Sequence, residues 1–259
     1  MIELRAVSKR YGQIVAVRNL DLKIESGEVF GFLGPNGAGK TTTIKIITGL
    51  LQPTSGSVLI DGLDVAKDPE RAKSRLGYIP DKPYLYEKLT GLEFVTFVGG
   101  LYGMTGSDLQ ARARKLLGVF GIGDRATDLI ESYSHGMKQK TLFAAALVHR
   151  PSALVVDEPM VGLDPRSARL VKKVFRELAS AGVAVFLSTH TLEVAEAICD
   201  RIGIIHRGEL IAIGRLDELR AIAASKGGSA ELASMAIRLD DIFLRLTEEE
   251  QESALAEME

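Results

Sequence analysis

Along the chain the spacing of apolar positions changes several times, and each change predicts a different kind of element. The opening stretch, MIELRAVSKRYGQIVAVRNLDLKIESG, alternates at Ile2 and Leu4 and again at Leu20, Leu22 and Ile24. A period of two puts alternate side chains on one face, so with YGQ and SGE as breaks it reads as antiparallel strands. EVFGFLG at 28–34 is a short apolar strand, followed by a glycine-rich loop and KTTTIKIITGLL, which has helical spacing. SGSVLIDG at 55–62 reads as a strand closed by an Asp-Gly turn.

From Pro83 to about Arg150 the pattern is helical. TGLEFVTFVGGLYG begins with Thr90 and Glu93 at capping-box spacing, and SDLQARARKLLGVFG and GMKQKTLFAAALVHR are amphipathic at three-to-four spacing. Strand–helix alternation then resumes. SALVVD and GVAVFLST are unbroken apolar runs, as in strands buried on both faces of a parallel sheet. PRSARLVKKVFRELASAG is the helix between them, stopped at Gly182, and RIGIIHRGELIAIG is a hairpin turning at Arg207-Gly208. ASKGGS is a break, MAIRLDDIFLRL a short amphipathic helix, and TEEEQESALAEME a solvated acidic end. The expected fold is α/β, with a mainly parallel sheet, an N-terminal antiparallel β subdomain and an inserted α-helical subdomain.

Composition narrows the classes without choosing one. The 259 residues are 46% hydrophobic and 25% charged, with a net charge of -2; such a near-neutral balance argues against a nucleic-acid binder, whose phosphate contacts usually need a basic face, and sets the expectation of no nucleic-acid partner. No stretch approaches the roughly 20 apolar residues that span a bilayer, so membrane work implies recruitment by a partner. The N-terminus lacks the apolar run of a signal peptide. A single cysteine, Cys199, excludes an internal disulfide, and its apolar neighbours mark it as a buried structural thiol.

Gly34 to Thr41 reads GPNGAGKT, after an apolar strand and opening a helix, which is the setting of a phosphate loop and of a RecA-like P-loop NTPase core. Gly34, Gly37 and Gly39 let successive N–H groups turn inward, and the helix start adds partial positive charge. Lys40 is expected on the β- and γ-phosphates and Thr41 on Mg²⁺. ALVVDEP at 153–159 brings two carboxylates to the carboxyl end of a strand, where open α/β sheets bind ligands. Alone they would suit a helix cap equally well. Beside a phosphate loop, Asp157 is expected to hold the metal's water shell and Glu158 to polarise the attacking water. FLSTH places His190 on the same edge as a γ-phosphate contact.

YSHGMKQK at 133–140 admits two readings from its residues, a serine nucleophile beside a histidine or a polar loop opening a helix. With it in place, residues 1 to about 220 resemble the nucleotide-binding subunit of ABC transporters, YSHGMKQ standing where that family carries L-S-G-G-Q. The resemblance implies ATP and Mg²⁺ as ligands. It implies Tyr11 on adenine with Val17 beside it, and Gly34, Pro35, Asn36, Gly37, Ala38, Gly39, Lys40, Thr41 and Thr42 as the Walker A loop. It implies VVDEP as Walker B, VGLD at 161–164 as the loop touching a partner subunit, and His190 as the switch histidine. It also implies that Ser134 and Gly136 complete the ATP site of a second copy packed head to tail, which answers the question: Ser134 donates to phosphate and is no nucleophile. Lys138 and Lys140 are then surface residues.

Three departures matter. His135 and Met137 replace Gly and Gln in the signature, and Asp81 in GYIPDKP stands where the family has glutamine. Asp81 is expected on the metal, the alternative being a turn aspartate. Tyr84, Leu85 and Tyr86 are expected to line a groove for a membrane subunit, the alternative being local packing. The implied boundaries are an ATPase domain over 1–220 (core 1–82 and 150–220, helical subdomain 83–149) and a helical extension over 221–259. The implied function is the ATP-hydrolysing subunit of an ABC-2-type exporter. It would sit in the cytoplasm, peripheral on the inner face of the membrane, with an integral-membrane permease. The rivals are a regulatory ABC ATPase acting on ribosomes or DNA, and an ATP sensor that barely hydrolyses.

Overall fold

The computed structural model describes residues 1–226, and the expected helix and acidic end beyond them lie outside the described residues. Strands β1 (Ile2–Tyr11) and β2 (Ile14–Ile24) pair antiparallel, Ile2 opposite Ile24 and Tyr11 opposite Ile14. β3 (Val29–Leu33) leads through the glycine-rich loop into α1 (Lys40–Ile47). β4 (Ser55–Ile60) returns along β1, and β5 (Leu63–Asp64) follows a turn at Asp61 and Gly62. Both turn residues have positive φ, 49° and 79°, as a type I′ hairpin requires. The first sheet therefore runs β2-β1-β4-β5.

Next come α2 (Pro69–Ser74) and β6 (Leu76–Ile79), then the helical stretch α3 (Gly91–Leu101), α4 (Gly106–Val119) and α5 (His135–Leu147). The chain continues as β7 (Ala153–Asp157), α6 (Pro165–Ser180), β8 (Ala184–Thr189), α7 (Leu192–Ile198), β9 (Arg201–His206), β10 (Glu209–Gly214) and α8 (Leu216–Lys226). The second sheet is ordered β10-β9-β3-β8-β7-β6; β9 through β6 are parallel and β10 is an antiparallel edge.

Every residue of β3, β7 and β8 is buried because the second sheet is covered on both faces. Leu154, Val156, Val185 and Leu187 face a core built with α3 to α6. Val155, Phe186, Phe30 and Phe32 face the one shared with α1 and the first sheet. Phe143 of α5 lies 5.5 Å from Phe120 and 5.9 Å from Phe175, joining the helical stretch to α6. Thr90 and Glu93 form the expected capping box. Gly182 follows α6 at φ 89°, and Arg207 and Gly208 turn the last hairpin at φ 46° and 84°. Cys199 packs its sulfur against Gly31, and burial pushes the thiol's pKa up, so it is an inert packing group. Among the described residues no helix is long and apolar enough to cross a membrane.

Candidate active site

Sheet register brings the sequence-distant residues to one edge. Leu33 pairs with Thr189 and Asp157 with Ser188, so the loop after β3 and the ends of β7 and β8 open on the same side, as expected of an open α/β sheet. Over the loop lies a cleft of about 150 Å³, lined by residues that include Ala16, Asn36, Lys40, Thr41 and Thr42.

The loop's shape depends on its glycines. Gly39 sits at φ 111°, and a Cβ there would come within 2.5 Å of the Ala16 carbonyl oxygen; at Gly34 one would come within 2.4 Å of the Ile205 carbonyl oxygen. Gly37, at φ 83°, faces open space. The first turn of α1 carries no acidic residue and no side-chain cap, which leaves its N–H groups for an anion. The buried Lys40 ammonium donates to the Gly34 carbonyl at 2.6 Å and the Pro35 carbonyl at 3.2 Å. Burial lowers its pKa, opposed by the charges of Glu158 and Asp157. A glycine-rich turn into an uncapped helix start, with a captive cation beside it, fits a polyphosphate.

Asp157 is 7% exposed and accepts a hydrogen bond from the Ser188 hydroxyl. Burial, with Asp81 and Glu158 adding to it, holds its carboxyl above the ordinary range, against the lowering effect of Ser188 and Lys40. Asp81 is exposed after β6, yet its charge reaches both Asp157 and Tyr78, whose phenol is pushed up to about 12 mainly by burial. Among the described residues no three acidic, histidine or cysteine side chains form a ready cation cage. That suits a cation such as Mg²⁺, which is commonly held by one or two carboxylates together with phosphate oxygens.

Glu158 is the most constrained residue of the edge. Its φ is 48°, a left-handed conformation that costs a non-glycine residue on the order of 1–3 kcal/mol and clusters at functional sites. Its N–H donates to the Ser188 carbonyl at 3.0 Å, and its carboxylate accepts from the Thr189 hydroxyl at 3.1 Å and the His190 N–H at 3.1 Å. His190 Nδ1 lies 2.7 Å from the same carboxylate.

Of the other expected residues, Tyr11 is exposed beside the cleft's strands with Lys9 5.3 Å over its ring. Val17 is fully buried behind Gly39, so the residue that lines the cleft from this strand is Ala16, and Gly34 and Ala38 lie under the loop. Ser134 caps α5, accepting from the Met137 N–H at 3.3 Å. The His135 ring rests on Gly162, where a Cβ would come within 2.2 Å of it, and Gly136 also faces Gly162. Ser134 and Gly136 do not line the cleft over the loop. Lys138 is not a free surface residue, because its ammonium donates to Glu87 at 2.5 Å and ties α5 to the linker before α3. Tyr84 and Tyr86 are 77% and 61% exposed, and Tyr86 leans on Phe97 at 5.6 Å. Ser188 and Thr189 escaped the sequence reading, although two hydroxyls ending a fully apolar strand are a signal in themselves.

With this geometry in view, the chain's similarity to known proteins becomes specific. Residues 17–161 match the model of the ABC transporter family. The chain belongs to that family. It is an ATP-binding, ATP-hydrolysing cassette. It is 38% identical over 94% of its length to the linearmycin resistance ATP-binding protein LnrL of Bacillus subtilis (strain 168), of which it covers 78%. Of several other relatives it spans less than two thirds, between 23% and 62% of their length. A solved ATP-binding subunit of an ABC transporter superposes with a TM-score of 0.86 at 33% identity, over 95% of this chain and 99% of that one. The ATP-binding cassette MJ0796, solved as a dimer in a post-hydrolysis state bound to ADP and Pi, gives 0.74 at 29% identity, over 83% and 99%.

Proposed function

We propose that this cassette works as a head-to-tail pair and powers an integral-membrane permease of the ABC-2 export type. The observation that carries the reading is the meeting of Glu158 and His190 above a phosphate loop that already holds its lysine. In the proposed site the loop amides and Lys40 bind the β- and γ-phosphates, with Thr42 beside them, and Tyr11 takes the adenine. Thr41, Asp157 and Asp81 supply oxygens to Mg²⁺. When bound, that ion would neutralise charge on the terminal phosphates. Glu158 accepts the proton side of the attacking water, and His190 holds its carboxylate in place. Ser134 and the amides near Gly136 close the site from the second copy. MJ0796 as a dimer supports the pairing, and the resistance role named for LnrL supports export. The exposed Tyr84 and Tyr86 support a permease groove on the helical stretch, and the absence of a spanning helix among the described residues leaves the span to that partner.

The decisive experiment is Glu158→Gln. The variant is expected to bind MgATP as the parent does and to lose turnover by about 100-fold or more, the loss typical of removing a general base. Turnover within a few-fold of the parent would remove Glu158 from that role. A dimer trapped by MgATP in the variant, seen by light scattering, is the expected companion result.

A further inference from the structure

A second cavity, of about 590 Å³, opens at the other end of the parallel sheet. Pro151, Ser152 and Val183 place it at the amino ends of β7 and β8, so the five residues of β7, roughly 15 Å of strand, separate it from Asp157. Its volume falls in the range of sites for drug-sized molecules. Leu116 from α4, Phe120 just after it and Leu178 from α6 give it an apolar wall, and two guanidiniums, Arg112 and Arg150, stand at it.

The charges are what make this cavity more than a gap between layers. Arg112 donates through Nε to the Val148 carbonyl and through Nη2 to the Leu147 carbonyl at 2.7 Å, which fixes it over the end of α5. Arg150 follows three residues after the end of α5, at φ 56°. The two cations are close enough for Arg150 to lower the Arg112 pKa, after burial the second cause of that shift. Among the described residues neither has a carboxylate within ion-pair distance, and no side chain or backbone accepts from the Arg150 guanidinium. The one acid at the rim, Glu177, is 3.7 Å from Lys173. Two neighbouring cations beside an apolar wall, with no carboxylate in ion-pair distance among the described residues, are complementary to an anion that carries its own apolar body.

We propose that this cavity binds a small amphipathic carboxylate, its head on the free fork of Arg150 and its apolar part along Leu116, Phe120 and Leu178. The site joins α4 and the end of α5 to α6, so an occupant braces the helical stretch against the parallel sheet. This does not rest on the transport reading, because binding is measured without nucleotide or permease.

The test is calorimetry on the full chain with decanoate, kept below its micelle concentration, against neutral decanol. One decanoate per chain is expected, with decanol at least about ten-fold weaker, the scale of one charge-assisted hydrogen-bonded contact. Arg150→Gln should weaken decanoate about ten-fold while decanol and ATP affinity stay unchanged. Leu178→Trp, which fills the wall, should remove both. Equal affinity for decanoate and decanol, or indifference to Arg150→Gln, overturns the anion site. Failure of decanoate where a synthetic peptide of residues 235–250 binds, or a concentration-dependent dimer that Leu178→Trp breaks, assigns the cavity to the chain itself and overturns the proposal as well.

Discussion

Two helices in this molecule begin with the same small-residue chemistry, yet they are built for different degrees of completion. α1 starts from Gly39 with no side-chain cap, no acid in its first turn, and a buried lysine already bonded to the loop carbonyls. α5 starts from Ser134, whose exposed oxygen caps the helix itself at 3.3 Å, and its first turn leans on Gly162 rather than on the cleft. The first arrangement leaves its donors open within fixed walls, as a site for an anion would. The second satisfies its own helix and presents its remaining donors outward. An unpaired set of helix N–H groups inside a rigid loop is kept for a ligand; a capped, exposed start has to be brought to one.

The comparison breaks first at Gly39. With φ at 111° and the Ala16 carbonyl 2.5 Å from where a Cβ would stand, Gly39→Ala must move the loop. We expect ATP affinity to fall by about 100-fold or more, about 3 kcal/mol of binding, with far-ultraviolet circular dichroism unchanged. A variant that still bound ATP normally, measured with a fluorescent analogue, would show that the loop is not the fixed partner described above.

Ser134→Ala addresses the other helix and should act differently. The helix loses a cap worth about 1 kcal/mol, and turnover should fall by about ten-fold or more, the scale of one lost charge-assisted donor. ATP binding to the isolated chain should change by less than about three-fold, since Ser134 does not line its own cleft. Equal losses in binding and turnover would place Ser134 on its own nucleotide and erase the distinction between the two helices.

How much of this could be read from residue order follows the same division. The buried strands were legible because Leu154, Val155 and Val156 face two cores at once, which makes an unbroken apolar run. The phosphate loop, the capping box at Thr90 and the turns at Asp61-Gly62 and Arg207-Gly208 were legible because backbone geometry there demands particular residues. β6, α2 and α7 were not, being four, six and seven residues long, too short to display a period. At the site, Asp157, Glu158 and His190 stood out by position. Their supports did not, because Ser188 reaches Asp157 and Thr189 reaches Glu158 only through strand pairing 31 residues apart. The left-handed turn at Glu158 has no residue signature at all, and the Lys138–Glu87 pair spans 51 residues.

The smallest effect concerns the far end of α5, and it sharpens the contrast by asking how firmly that helix is anchored behind its open start. His149 follows the helix, its ring stacked on Tyr102 with centroids 3.6 Å apart, and Nε2 lies 3.2 Å from the Leu76 carbonyl. A carbonyl can only accept, so Nε2 carries the proton and the buried, unpartnered Nδ1 is the bare nitrogen. Protonating it would place a charge in an apolar setting near Arg112, and burial accordingly depresses the pKa from 6.5 to about 4. A depressed folded-state value means that the unfolded chain takes up the proton first. The contribution of His149 to stability is therefore level above about pH 6.5 and declines as pH falls from 6.5 towards 4. Urea midpoints at pH 7 and pH 5 should show a larger acid loss for the parent chain than for His149→Phe, which keeps the stack and cannot titrate. If the two lose the same amount, His149 is already free to accept its proton in the folded state, and the back of α5 is no better anchored than its front.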